Sequence, residues 1–81
     1  MNLIVTSPKA LGNAIKRQRI NKKLNQTEAG SSVNIDQTTA SSIEHGAPGT
    51  RMETIFRMLA ALELEMVIRP RGTIDDNKWS W

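Results

Sequence analysis

Gln26, Gln37, Thr38, Ser41 and Ser42 are the residues whose types and spacing in this chain could do chemistry. That chemistry is hydrogen bonding rather than bond breaking. Four of them lie in "VNIDQTTASSIEHG" (residues 33–46), a stretch crowded with hydroxyls and amides yet bracketed by Val33, Ile35 and Ile43. On the outward face of a helix, amides pair bidentately with adenine, and hydroxyls serve base edges or phosphates. Cations accompany them. The first 27 residues hold Lys9, Lys16, Arg17, Arg19, Lys22 and Lys23 and no acid, whereas all eight acids follow from Glu28 onward. A basic end on a chain of net charge +3 points to a polyanion, most often nucleic acid. Lys16 and Arg51 are the candidates for phosphate contacts.

Other reactive-looking groups have plainer readings. His45 beside Glu44 has no partner for catalysis or metal binding and reads as a cation at a helix end. Ser31, Ser32, Ser41 and Ser42 have no neighbouring base to activate them. Met52, Met58 and Met66 read as core or interface filler. No phosphate loop or carboxylate pair is present, so no enzyme, metal or cofactor is expected. There is no cysteine, which fits a reducing cytosol. "LIV" (residues 3–5) is too short for a signal sequence, and no apolar run nears the roughly 20 residues that span a bilayer. The expected protein is cytoplasmic, with no membrane partner.

Helical signals position these residues. Ser7-Pro8 supplies an N-cap and a first-turn proline, and Leu11, Ala14 and Ile15 share a face of a helix that fades near Asn21. A short second helix follows, with Asn25 as cap and Glu28 in a capping-box position. Asn34 marks a sharp turn. Asp36 caps a third helix over residues 37–44, closed by Gly46, with Ala40 and Ile43 inward and Gln37, Thr38, Ser41 and Ser42 outward. Met52, Ile55, Leu59 and Leu62 carry a fourth helix. "LEMVIR" (residues 64–69) alternates as a strand and stops at Pro70. At 81 residues the core is small, and self-association is a natural supplement.

Leu11, Gly12, Ile15 and Arg19, then "LNQTE", then "IDQTTASSIEHG", together resemble the Cro/C1-type (XRE-like) helix-turn-helix family over residues 9–62. "SPKALGNAIK", "LAALELEMVIR" and a final tryptophan make the chain look closest to HipB-type antitoxins. The resemblance implies an all-α fold of four to five helices with one C-terminal strand paired across a homodimer. It also implies a palindromic double-stranded operator, a HipA-type serine/threonine kinase toxin as partner (one chain or split), and a Glu44–Arg19 pair tying two helices together. The expected division is a helix-turn-helix domain over 1–62, a dimerisation strand over 63–70 and a disordered tail over 71–81. Leu64, Met66 and Ile68 would form the dimer interface, and Trp79 and Trp81 would contact the toxin or, alternatively, fold back onto the chain's own core. Small or polar residues at Gln18, Ala29, Gly30 and Ala40 depart from the family pattern and predict an underfilled core around the second helix. Asp36 falls where such proteins often touch DNA, and an acid there would repel it. Two other roles fit the same fold: a protein-interaction module with weak DNA binding, and a stand-alone phage-type repressor.

Overall fold

The computed structural model describes residues 3–71; Trp79 and Trp81, with the rest of the expected tail beyond residue 71, lie outside the described residues. Four helices follow one another: α1 (Pro8–Asn21), α2 (Gln26–Ser31), α3 (Gln37–Glu44) and α4 (Met52–Ala61). Three of them begin where a side chain captures a backbone donor that the first turn cannot satisfy itself. Ser7 Oγ accepts from the Ala10 N–H at 3.0 Å, and Pro8 opens α1 with no donor lost. Asn25 and Glu28 complete a reciprocal capping box, at 2.7 and 2.8 Å. Asp36 Oδ1 accepts from the Thr39 N–H at 2.7 Å.

The helix ends share one device. Lys23, Asn34, Gly46 and Glu63 adopt φ of 59°, 60°, 78° and 57°. After each, the next N–H donates back to a carbonyl of the last turn: Leu24 to Arg19, Ile35 to Gly30, Ala47 to Ser42 and Leu64 to Leu59, at 2.8–3.1 Å. These bonds hold the sharp reversals between helices even though only Gly46 escapes the steric cost of a left-handed backbone.

Ile15, Ala29, Ile35, Ala40, Ile43, Ile55, Met58, Leu59 and Leu62 form one buried cluster, with Leu11, Leu24, Val33 and Leu64 packed against it. Each large aliphatic member contributes about 1.5–3 kcal/mol by leaving water. The expectation of an underfilled core is resolved by close approach. Ala29 and Ala40 are fully enclosed, and the Ile35 carbonyl occupies the place that a methyl on Gly30 would need. Small side chains here let backbone fill the space. Gln18 is not wasted either: its Nε2 donates to the Leu62 carbonyl at 3.0 Å, and Lys22 pairs with Glu63, so the ends of α1 and α4 are joined.

One expectation changes. Met52, placed on the inward stripe of the fourth helix by its spacing, is exposed because it is the first residue of α4 and lies beyond the core. Residues 64–70 form no strand among the described residues, since a ladder needs a second strand and a single chain brings none to this segment. Leu64 packs on the core, whereas Met66 and Ile68 lie at the surface. They stand 41% and 91% exposed.

Candidate nucleic-acid interface

The outward face of α3 carries the predicted reading residues. Gln37, Thr38 and Ser42 are exposed and Ser41 is half-buried, while Ala40 and Ile43 on the other side of the helix are enclosed. α3 packs against both α1 and α2, so its polar face is held by two elements.

The holding is chemical as well as steric. Arg19 on α1 grips Glu44 at the end of α3 with two parallel hydrogen bonds, Nε to Oε2 at 2.5 Å and Nη2 to Oε1 at 2.9 Å. The two side chains are 12% and 2% exposed, so the pair is largely removed from water, where a bidentate charge-assisted bond is strong. The hydrogen bond to Glu44 raises the Arg19 pKa above its ordinary value. Arg19 Nη1 also donates to the Leu24 carbonyl at 2.8 Å, which fixes the turn into α2. From Glu44 the chain of bonds continues outward. Gln26 Nε2 donates to Glu44 Oε1 at 3.3 Å, and Gln37 Nε2 donates to Gln26 Oε1 at 2.7 Å. A buried ion pair thus sets the orientation of two amides at the starts of α2 and α3, Gln26 half-buried and Gln37 exposed.

Close backbone contact completes the seat. A methyl on Gly12 of α1 would meet the Ile43 carbonyl and, at 2.6 Å, the Glu44 carbonyl oxygen. Only glycine lets α1 lie this near the end of α3. On the opposite edge, Arg57 of α4 donates to the Val33 carbonyl at 3.1 Å and braces the α2–α3 connection.

Two shallow grooves flank this face. One is lined by Lys9, Asn13 and Lys16 of α1 together with Arg19, Gln26, Glu44 and His45. The other runs between Thr38, Thr39 and Ser42 of α3 and the segment with Gly49, Thr50, Arg51 and Thr54. Lys16, Gln26 and Arg51 therefore stand beside the reading face. Asn13 was not singled out from sequence, although the spacing of Lys9, Asn13 and Lys16 already places it on one side of a helix with two cations. His45 has its ring Nδ1 2.7 Å from the Ser41 carbonyl, which can only accept, so Nδ1 carries the proton. Asp36, at the head of α3, has a carboxyl held below its ordinary range, chiefly by the Thr39 N–H.

Two short helices joined by a tight turn through a left-handed residue, the second exposing a polar face between two grooves, one of them rich in cations, define a helix-turn-helix module. A helix-turn-helix family model matches residues 15–68. Antitoxin HipB of Escherichia coli strain K12 is 34% identical over 64 residues, covering 79% of this chain and 73% of the relative. Solved structures agree. The chain resembles the protein in the "HipB-O4 20mer complex" with a TM-score of 0.82 at 31% identity, over 88% of this chain and all of that one. The "Structure of HipA-HipB-O2-O3 complex" gives 0.81 at 31% identity over the same shares. The chain belongs to the helix-turn-helix family, and within it to the HipB-type antitoxins.

Proposed function

We propose that this protein is a homodimeric, sequence-specific DNA-binding repressor. It serves as the antitoxin-type component of a HipA/HipB-like operon, regulating that operon and binding a HipA-like serine/threonine kinase toxin in the cytoplasm, at the nucleoid. The observation that carries the reading is the outward polar face of α3, pinned through Gln37, Gln26 and Glu44 to Arg19. A rigid row of amides and hydroxyls has a use in the major groove, where donor and acceptor patterns differ for every base pair. The HipB structures solved as complexes with 20mers and with HipA support the same two partners.

In this reading Gln37, Thr38, Ser41 and Ser42 meet base edges. Gln26, Lys16 and Arg51 meet phosphates. Leu64, Met66 and Ile68 pair with their copies about a two-fold axis, which a palindromic operator would match. Trp79 and Trp81 anchor the toxin, as aromatic side chains do in many binding hot spots. The role is one of binding, without a catalytic step.

Fluorescence anisotropy on duplexes from the region upstream of the gene, at several salt concentrations, tests the DNA half. A steep salt slope with preference for one palindromic duplex is the expected result; equal, weak binding to all duplexes would make the protein an interaction module instead. Co-purification with a HipA-like kinase tests the other half. Deleting residues 78–81 should weaken that association and leave operator affinity unchanged.

A further inference from the structure

The head of the reading helix carries an acid. Asp36 is exposed, immediately precedes Gln37, and uses Oδ1 to accept from the Thr39 N–H at 2.7 Å. A carboxylate has about four lone-pair sites, so this capping bond leaves others for a donor brought by a partner. The rest of the outward face, Gln37, Thr38, Ser41 and Ser42, is uncharged. A carboxylate approaching DNA meets repulsion from phosphates, and against it stands the partial positive charge of the α3 N-terminus at which Asp36 sits.

Base chemistry decides what such a group could accept. In the major groove guanine shows two acceptors and thymine one acceptor with a methyl, whereas cytosine shows a lone N4 amine donor. Adenine offers its N6 amine beside an N7 acceptor, a mixed pattern suited to an amide rather than to a carboxylate. An acceptor-only side chain fits cytosine and opposes guanine and thymine.

Resting on the DNA-binding reading above, we propose that Asp36 is a specificity-determining residue, accepting a hydrogen bond from the N4 amine of a cytosine in each operator half-site. It does so while its other contact caps α3. The same acid weakens binding to every duplex that lacks a cytosine at that place, so it acts as a filter more than as an anchor.

The test uses the full chain and a pool of randomised DNA duplexes, with selected duplexes then varied one base pair at a time. Two variants keep the cap, since serine and asparagine serve there as well as aspartate. Wild type should select cytosine at one position per half-site and lose about tenfold in affinity when it is replaced. Asp36→Ser should lose the preference at that position alone. Asp36→Asn should move it toward adenine, which pairs with an amide through N6 and N7. Unchanged base preferences in both variants, with affinity rising equally for all duplexes, would show Asp36 to be a cap that merely repels DNA, and the proposal would fall. A wild-type protein that selects no sequence at all would instead overturn the DNA-binding reading on which it rests.

Discussion

Gln37 does not stand free at the start of α3: its Nε2 donates to Gln26 Oε1 across 2.7 Å, although the two residues belong to different helices. The bond leaves the Gln37 oxygen uncommitted to Gln26 and ties down the amide that the proposed reading sets against a base.

The two glutamines should therefore act as a unit. Gln37→Ala is expected to cost roughly 1–3 kcal/mol of base discrimination. Gln26→Ala should cost part of the same discrimination, because Gln37 then rotates freely. A double-mutant cycle on operator affinity should show coupling of about 0.5–3 kcal/mol. Strict additivity would mean that the bond does not orient Gln37.

Arg19 and Glu44 are the stability hinge of the site. Removing either partner leaves a buried charge without its bidentate mate, a loss of about 3–5 kcal/mol. For a domain of this size that is a large part of the total. Arg19→Met or Glu44→Ala should lower Tm steeply in calorimetry, and Arg19→Lys should rescue little, since a point ammonium cannot reproduce the two-pronged contact.

Gly12→Ala inserts one methyl against two backbone carbonyls of α3 that have no freedom to rotate away. About 1–3 kcal/mol of overpacking is expected. At about 4–8 °C per kcal/mol for a small domain, thermal melting reads it readily. Ala14→Gly, at another buried position of the same helix, removes a methyl instead and serves as the comparison.

Dimerisation is testable through the segment after α4. Val67 and Ile68 are 73% and 91% exposed in the single chain, apolar surface that a second copy would cover. Met66→Pro removes a ladder donor. Analytical ultracentrifugation should show monomers, and a stable dimer in this variant would remove the strand from the interface.

Acid should unfold the protein partly through two surface carboxyls. Asp36 lies below its ordinary value because of the Thr39 N–H, and Glu63 because of the hydrogen bond from Lys22. A lowered folded-state pKa adds stability that is fully present above the unfolded value and is lost as pH falls through the folded one. Tm should thus fall as pH drops through and below the ordinary carboxylate range, about 4. An Asp36→Asn, Glu63→Gln double variant should show a shallower acid limb; an identical limb would assign the loss to other groups.

Much of this molecule is written locally. Ser7-Pro8, the Asn25–Glu28 capping box, Asp36 and Gly46 fix where helices start and stop, because a cap satisfies its own turn and needs no distant partner. The inward Ala40 and Ile43, and the outward Gln37, Thr38 and Ser42, follow from helical periodicity alone. Tertiary structure decided the rest. The joining of Gln26 to both Glu44 and Gln37, the bond from Gln18 to the Leu62 carbonyl, and the backbone approach at Gly12 each link parts of the chain far apart in sequence. No local pattern encodes such contacts, since they depend on the angles at which helices pack. Positive φ at Lys23 and Glu63 belongs with them: neither residue type favours that conformation, and it is imposed where α1 and α4 must end together.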